Sequence, residues 1–347
     1  MDQTYNELVK TAPPVTHNAP LTSSEIGNLS RTYVNYSMLG LIMKFFLQHV
    51  QDVDIRSVIE DTLSLSEDRV RISADFLSRD GRPVPYGFTE QDVDLKAPAL
   101  FADVFYLHYV GNMIKLGLNI SSMALTMAAR LDVIDIYHKA IDTTMDLWEK
   151  AVRIMLEKGV YTRPPFITTT DQVEFVKSKD FLAGHRPLLA IEIEQLYFGI
   201  ITNEVGRTLL TGFHQVVRSK EARKYIKKGL DFSSRIIDEF STIMRSNGIT
   251  SPMHWDAYST VTNSTTPPFS DKMMMFHVLM MNAAGIANYA ISLASSPRRD
   301  LASVYGRLIA KTADFANDGF KIMIENGWLE EPPSYIDRTE LRNTAKH

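Results

Sequence analysis

Residues 130–165 read RLDVIDIYHKAIDTTMDLWEKAVRIMLEKGVYTRPP, and residues 298–333 read RRDLASVYGRLIAKTADFANDGFKIMIENGWLEEPP. The two stretches align without a gap at a shift of 168, and twelve of the 36 pairs are identical. Among these are Arg130/Arg298, Asp132/Asp300, Tyr137/Tyr305, Thr144/Thr312 and Gly159/Gly327, with Pro164-Pro165 and Pro332-Pro333 closing both. Within the first stretch, Tyr137, Ile141, Met145, Trp148, Val152 and Met155 recur at intervals of three and four, which is one apolar face of an α-helix. A period this long marks a domain, not a solenoid unit of roughly 20–50 residues. The chain therefore reads as one helical domain written twice.

The repeat extends outward. HNAPLTSSEI at 17–26 matches HRPLLAIEI at 185–193 with one gap, pairing His17 with His185, Pro20 with Pro187 and Glu25 with Glu192. FADVF at 101–105 matches FSDKM at 269–273, Gly117 matches Gly285, and Gly81 pairs with Gly248 at a shift of 167. The expected units are an N-terminal extension (1–19), a four-helix bundle (20–165), a polar linker (166–186), a second four-helix bundle (187–333) and a charged tail (334–347). In the first copy, one helix starts at the Thr22-x-x-Glu25 capping box and runs to about 50. A second covers about 54–79 and stops before Gly81. A third begins beside Pro98 and runs to about 129, and a fourth follows Asp132 as N-cap and stops at Gly159. Equivalent helices are expected near 189–218, 221–246, 269–296 and 300–326. No run with strand alternation is bounded by hairpin turns.

Connection lengths carry the topology. The first and last pairs of helices in each copy are joined by short turns, and the middle pair by DGRPVPYGFTEQDVDLKA or NGITSPMHWDAYSTVTNSTTPP. Either segment can span most of a helix about 40 Å long. Short, long, short is the order of two antiparallel hairpins joined by a crossover. The expected fold class is thus all-α, two tandem ferritin-like four-helix bundles from an internal duplication; the alternative is an up-down-up-down bundle with one ornate loop.

Composition is that of an ordinary globular protein: 347 residues, 45% hydrophobic, 22% charged, net charge −4 and no Cys. No thiol nucleophile, disulfide or thiolate metal site can be built. The acidic balance gives no reason to expect nucleic acid, and the basic run at 218–228 reads as a solvated surface. MLGLIMKFFL at 38–47 is interrupted by Lys44 and too short to span a bilayer, so no membrane span and a cytoplasmic location are expected.

Ferritin-like bundles often hold two metal ions through Glu-x-x-His on two helices, because positions three apart share a helix face. None of the nine His residues has Glu three positions before it; Asp135-x-x-His138 comes nearest, with Ser303 and Gly306 opposite it. A single Fe, Mn or Zn ion remains conceivable in the second copy from His277 with Glu192, Glu204, Asp238 and Glu239. The first copy offers Glu25, Glu67 and His108, or His49. The structural alternatives are a helix cap for Glu25 and a hydrogen-bonded core position for a lone His. Met273, Met274, Met275, Met280 and Met281 read as core filler, or as an apolar groove. Leu116-Gly117 and Asn282-Ala-Ala-Gly285 read as close helix-packing patches. Tyr86 and Phe88, and His254, Trp255 and Tyr258, are expected to pin the crossovers or to line a cleft. Phosphate loops and nucleophile elbows are absent from the sequence.

Together, LTSSEIGNL, TPPFSDKMMMFHV, NAAGIANY, RRDL and GWLEEPP resemble a family of uncharacterised tandem-bundle proteins of Gram-positive spore-forming bacteria, from Pro20 to Pro333. The resemblance implies a ferritin-like fold in each half and no catalytic residues, and through the family's distribution it suggests a link to the spore or to stress physiology. The first reading is a non-catalytic structural or interaction protein, with a second copy or another protein as its partner. A metal-dependent oxidoreductase or storage protein around His277 and Glu192, and an apolar-ligand carrier using the Met-rich interior, compete with it.

Overall fold

A computed structural model of the protein describes residues 19–173, 175–184, 186–252 and 261–336. His17, His185, His254, Trp255 and Tyr258 lie outside the described residues. Among the described residues the regular structure is helical, and eight long helices form two tandem bundles. The first holds α1 (Ser23–His49), α2 (Val53–Arg79), α3 (Asp103–Thr126) and α4 (Leu131–Glu157). The second holds α5 (Ala190–Val216), α6 (Lys220–Ser246), α7 (Asp271–Ser295) and α8 (Arg299–Glu325). Within each bundle the closest partners are α1 with α2, α3 with α4, α5 with α6 and α7 with α8.

The helix ends follow local chemistry. Thr22 and Glu25 form the capping box: the Thr22 Oγ1 accepts from the Glu25 N–H, and the Glu25 carboxylate accepts from the Thr22 N–H at 2.7 Å. Gly81 and Gly159 follow the ends of α2 and α4 at φ +66 and +69, a left-handed conformation that side chains resist. Two expected starts differ. Arg130 is the N-cap of α4, and Asp132 lies within the first turn, where its carboxylate takes two hydrogen bonds from the Arg130 guanidinium. Helix α3 starts at Asp103 and not beside Pro98: Pro98 lies between Val93 and Phe101, each held in an isolated bridge across the molecule.

Side-chain hydrogen bonds to helix-end N–H groups fix the chain order. Asp80, at the end of α2, accepts from the Leu21 N–H and from Arg130, so the α1 start, α2 end and α4 start share one end of the bundle. Asp103, at the α3 start, accepts from the Gln51 and Asp52 N–H groups at 2.9 and 2.8 Å, in the turn at the opposite end. Residues 81–102 therefore travel the length of the bundle. Asp271 does the same for the Arg218 and Ser219 N–H groups in the second bundle. Two hairpins joined by a lengthwise crossover is thus the order in both copies, and the up-down-up-down alternative is excluded.

The bundles meet through these crossovers. Val93 pairs with Phe269 and Phe101 with Val261, as isolated antiparallel bridges. The Asp94 N–H donates to the Pro268 carbonyl at 2.8 Å, and the Thr262 N–H to the Leu100 carbonyl at 3.0 Å. Each of these contacts is the other's counterpart under the 168-residue shift, so the two copies face each other about a pseudo-twofold axis. Phe269 packs edge-on to Phe45, and its counterpart Phe101 packs over Gly212, the residue equivalent to Phe45. One apolar core runs from Phe45, Phe46 and Phe105 through to Phe213, Met273 and Met274. Smaller clusters fill the far ends, around Leu29 and Tyr137 in the first bundle and around Phe240 and Tyr305 in the second. By length and composition α7 is the one described helix that could also cross a bilayer; in this fold its Met273, Met274, Met275, Val278 and Leu279 are buried in the shared core.

A methyl group on Gly212 would stand 2.5 Å from the Phe101 ring. Gly212→Ala is expected to lower stability by about 1–3 kcal/mol by overpacking this seam. Gly306→Ala, whose methyl meets nothing within 4 Å, is expected to raise stability by up to about 1 kcal/mol. Urea unfolding of both variants checks the pair.

Candidate functional site

The residues flagged for metal chemistry do not converge. Glu25 is 1% exposed and its carboxylate also accepts from the Ala129 and Arg130 N–H groups at 3.0 and 2.8 Å, closing the turn between α3 and α4 onto the start of α1. Burial works to raise its pKa, but the backbone N–H groups of Arg130, Thr22 and Ala129 outweigh it and hold the carboxyl down at about 2. Glu192 occupies the equivalent end of the second bundle, fully buried. It accepts from Arg186 through both oxygens at 2.8 Å, from the Leu189 N–H at 2.9 Å and from the Arg298 N–H at 3.2 Å. There too burial raises the pKa and the Arg186 and backbone hydrogen bonds bring it below the ordinary value. Glu192 lies in the first turn of α5 and His277 in the second turn of α7, at opposite ends of the bundle.

The other carboxylates are tied elsewhere. Glu204 is buried and pairs with Arg207 one turn along α5 at 2.7 Å. Glu239 pairs with Arg307, Asp238 is exposed, and Glu67 is an exposed partner of Lys44 at 3.7 Å. His108 is half-buried on α3, and burial, with Lys115 nearby, pulls its pKa down to about 4. The His49 ring lies edge-on to Phe45 at 4.7 Å. Among the described residues no three His, Asp or Glu side chains are grouped as a metal site would require.

His277 instead sits on the pseudo-twofold axis. Its Nε2 is 3.3 Å from the hydroxyl of Tyr109, its own counterpart in the first copy. Phe213 flanks His277 at 5.8 Å, and the equivalent Phe46 flanks Tyr109 at 5.5 Å. His277 is 1% exposed and its Nδ1 has no hydrogen-bond partner. Burial lowers the imidazole pKa to about 3, so the ring is neutral.

Two neighbouring cavities open beside this axis. One, about 100 Å³, lies within the second bundle and is walled by α3 of the first; His277, Tyr109, Asn282, Tyr289 and Lys115 contribute to its lining. The Lys115 ammonium lies 5.1 Å from the Trp148 ring centre and 5.6 Å from that of Phe198. Burial lowers its pKa. The other cavity, about 40 Å³, lies in the first bundle and is lined by Arg69, Tyr36, Ser73 and Ser121 among apolar side chains. Met113, Leu116 and Met280 border both. Arg69 is 7% exposed; burial pulls its pKa below the ordinary value, yet a guanidinium stays protonated under all ordinary conditions.

Arg69, Lys115 and Tyr109 carried no sequence motif. For Arg69 a signal existed: it falls on the buried stripe Ile55, Ile59, Thr62, Ser66, Arg69, Ser73 and Leu77 of α2, opposite Ile236 of the second copy. Of the crossover aromatics, Phe88 is buried and Tyr86 is exposed, so only the former pins its segment to the bundle.

A family model described as a protein of unknown function (DUF3231) matches residues 10–173 and again residues 177–341. The uncharacterized protein YvdQ of Bacillus subtilis (strain 168) is 22% identical over 148 residues, covering 41% of this chain and 87% of its own length. A crystal structure of a "putative spore coat protein" from Bacillus halodurans C-125 aligns at 18% identity and a TM-score of 0.40, covering 44% of this chain and 98% of that one. Each relative has about the length of one copy.

The buried imidazole predicts an acid-sensitive seam. The folded protein keeps His277 neutral, whereas the unfolded chain takes up a proton as pH falls below about 6.5. This contribution is complete above pH 6.5 and is lost progressively toward pH 3, on the order of 5 kcal/mol in all. Loss from Glu25 follows lower down, from pH 4.5 toward 2. Urea unfolding across this range should show His277→Gln with a flatter slope between pH 6.5 and 4.5. Ring signals of His277 that titrate near 6.5 in the folded protein would contradict it.

Proposed function

We propose, because the chain belongs to the DUF3231 family and carries that family's domain twice, that it is a non-catalytic structural or interaction protein whose two bundles act as one rigid body. The observation that carries this reading is the seam. Equivalent crossover segments hydrogen-bond to each other and bury Phe101 and Phe269 at 1% and 4% exposure. Two of the candidate ligand carboxylates, Glu25 and Glu192, tie helix ends together, which also favours a structural role. Two hairpins joined by a lengthwise crossover are the order of ferritin-like bundles, and we read each copy as a ferritin-like scaffold without the usual dinuclear ligand set. Association with the spore, and with a second copy or a protein partner, belongs to the same proposal.

A second reading is favoured by the cavity of about 100 Å³, with the unpartnered Nδ1 of His277 and the half-buried Lys115 on its wall. It makes the second bundle a carrier for a small, mainly apolar molecule bearing one polar group.

Elemental analysis of the purified protein tests the non-catalytic reading. The expected result is Fe, Mn and Zn far below one per chain, with folding unchanged by a chelator. Stoichiometric metal that is lost in His277→Ala would overturn it in favour of a metal protein. Native mass spectrometry of the same sample checks the second reading, which expects a co-purified small molecule that departs on denaturation.

A further inference from the structure

Arg69 has the surroundings of a binding group and not of a structural one. Its Nη2 donates to the Thr143 hydroxyl at 2.7 Å, its Nε is buried with no hydrogen-bond partner, and among the described residues no carboxylate forms an ion pair with it. A guanidinium cannot discard its charge, and one buried without a counter-charge is unfavourable unless something supplies it. Structural arginines of this chain show the contrast: Arg130 and Arg298 each hold a carboxylate with two hydrogen bonds.

The second bundle is an internal control, since it solves the same packing problem without a charge. Ile236 stands where Arg69 does, 2% exposed. Phe240 and Tyr289 stand where the first bundle has Ser73 and Ser121, with ring centres 6.4 Å apart. Phe240 fits because Gly199 replaces Thr32; a methyl group on Gly199 would lie 2.3 Å from its ring. One copy thus fills this level of the core with two rings. The other carries two serines, a cation and a cavity of about 40 Å³.

We propose that this cavity is a binding site for a small monocarboxylate with a short apolar tail. The carboxylate accepts from the Nε edge of Arg69, where guanidinium geometry suits it. The tail lies against Leu39, Ile72 and Met113, which line the same space. The ligand is a monoanion because Arg69 is the one charged side chain among the lining residues; a phosphate dianion would leave an uncompensated buried charge. Judged by the room a water needs, the cavity suits acids of roughly two to four carbons.

Titration calorimetry of the full chain with acetate, propionate and butyrate tests the site, with chloride and inorganic phosphate as controls. The expected result is one saturable site per chain for propionate or butyrate, weakened roughly ten- to a hundredfold in Arg69→Met. Binding should be abolished in the double variant Thr32→Gly/Ser73→Phe, which copies the filling of the second bundle. Should either variant fail to fold, the Nε–H signal of Arg69 in the unaltered protein supplies the readout, and it must shift saturably with propionate. Three results would overturn the proposal: no saturable binding to the folded protein, equal affinity in Arg69→Met, or chloride or phosphate competing as well as propionate, which would mean an adventitious ion only.

Discussion

A chain segment that runs the length of a helical bundle outside any helix keeps its backbone N–H and C=O groups unpaired, and such groups are costly against an apolar surface. This protein has two such segments, and where their described residues meet each supplies backbone partners to the other. The Asp94 N–H reaches the Pro268 carbonyl, and the Thr262 N–H reaches the Leu100 carbonyl. Around that exchange the apolar side chains of both crossovers, Phe101 and Phe269 foremost, close a core shared by the two bundles. A surface that meets an equivalent copy of itself about a twofold axis is the geometry of an isologous dimer. Here both copies lie in one chain, and Tyr109 and His277, equivalent residues, touch at the axis.

The constraint explains where the copies agree and where they part. Bundle ends require a buried acceptor for helix-terminal N–H groups, so Glu25 and Glu192 do the same work. Arg130 and Arg298 retain the same aspartate partners, Asp132 and Asp300. The seam tolerates change only in compensating form, as where Phe45 against Phe269 becomes Gly212 beneath Phe101. Freedom is greater in the middle of each bundle. Arg69, Ser73 and Ser121 have become, or arisen from, Ile236, Phe240 and Tyr289, and the two interiors differ in charge and in empty space.

The architecture was legible in the sequence because its signals are local and repeated. The Thr22 capping box, the glycines after α2 and α4 and the lengths of the connections each state one piece of backbone geometry. Two helix starts were misplaced for non-local reasons. Asp132 looked like a cap, but its carboxylate belongs to Arg130. Pro98 looked like a first turn, but its segment is pinned at Val93 and Phe101 by bridges to the partner crossover. The candidate sites were less legible still. His277 stood out as an unusual residue, but its hydrogen-bonding neighbour, Tyr109, comes from the other copy, and sequence spacing within one bundle could not supply it. Arg69 was hidden because a single arginine on a helix is ordinary; only its burial, and the isoleucine aligned with it, make it unusual.

The central claim is that the seam, and not the linker, holds the bundles together. Within the linker, Phe166, Val173 and Phe175 are almost fully exposed, so a protease site placed there is open to cleavage. Cutting the folded protein at that site and passing it through size exclusion in native buffer is the most direct test. The account predicts that the two halves elute together at the position of the uncut chain and separate only in denaturant. Halves that part in native buffer, each still helical, would contradict it.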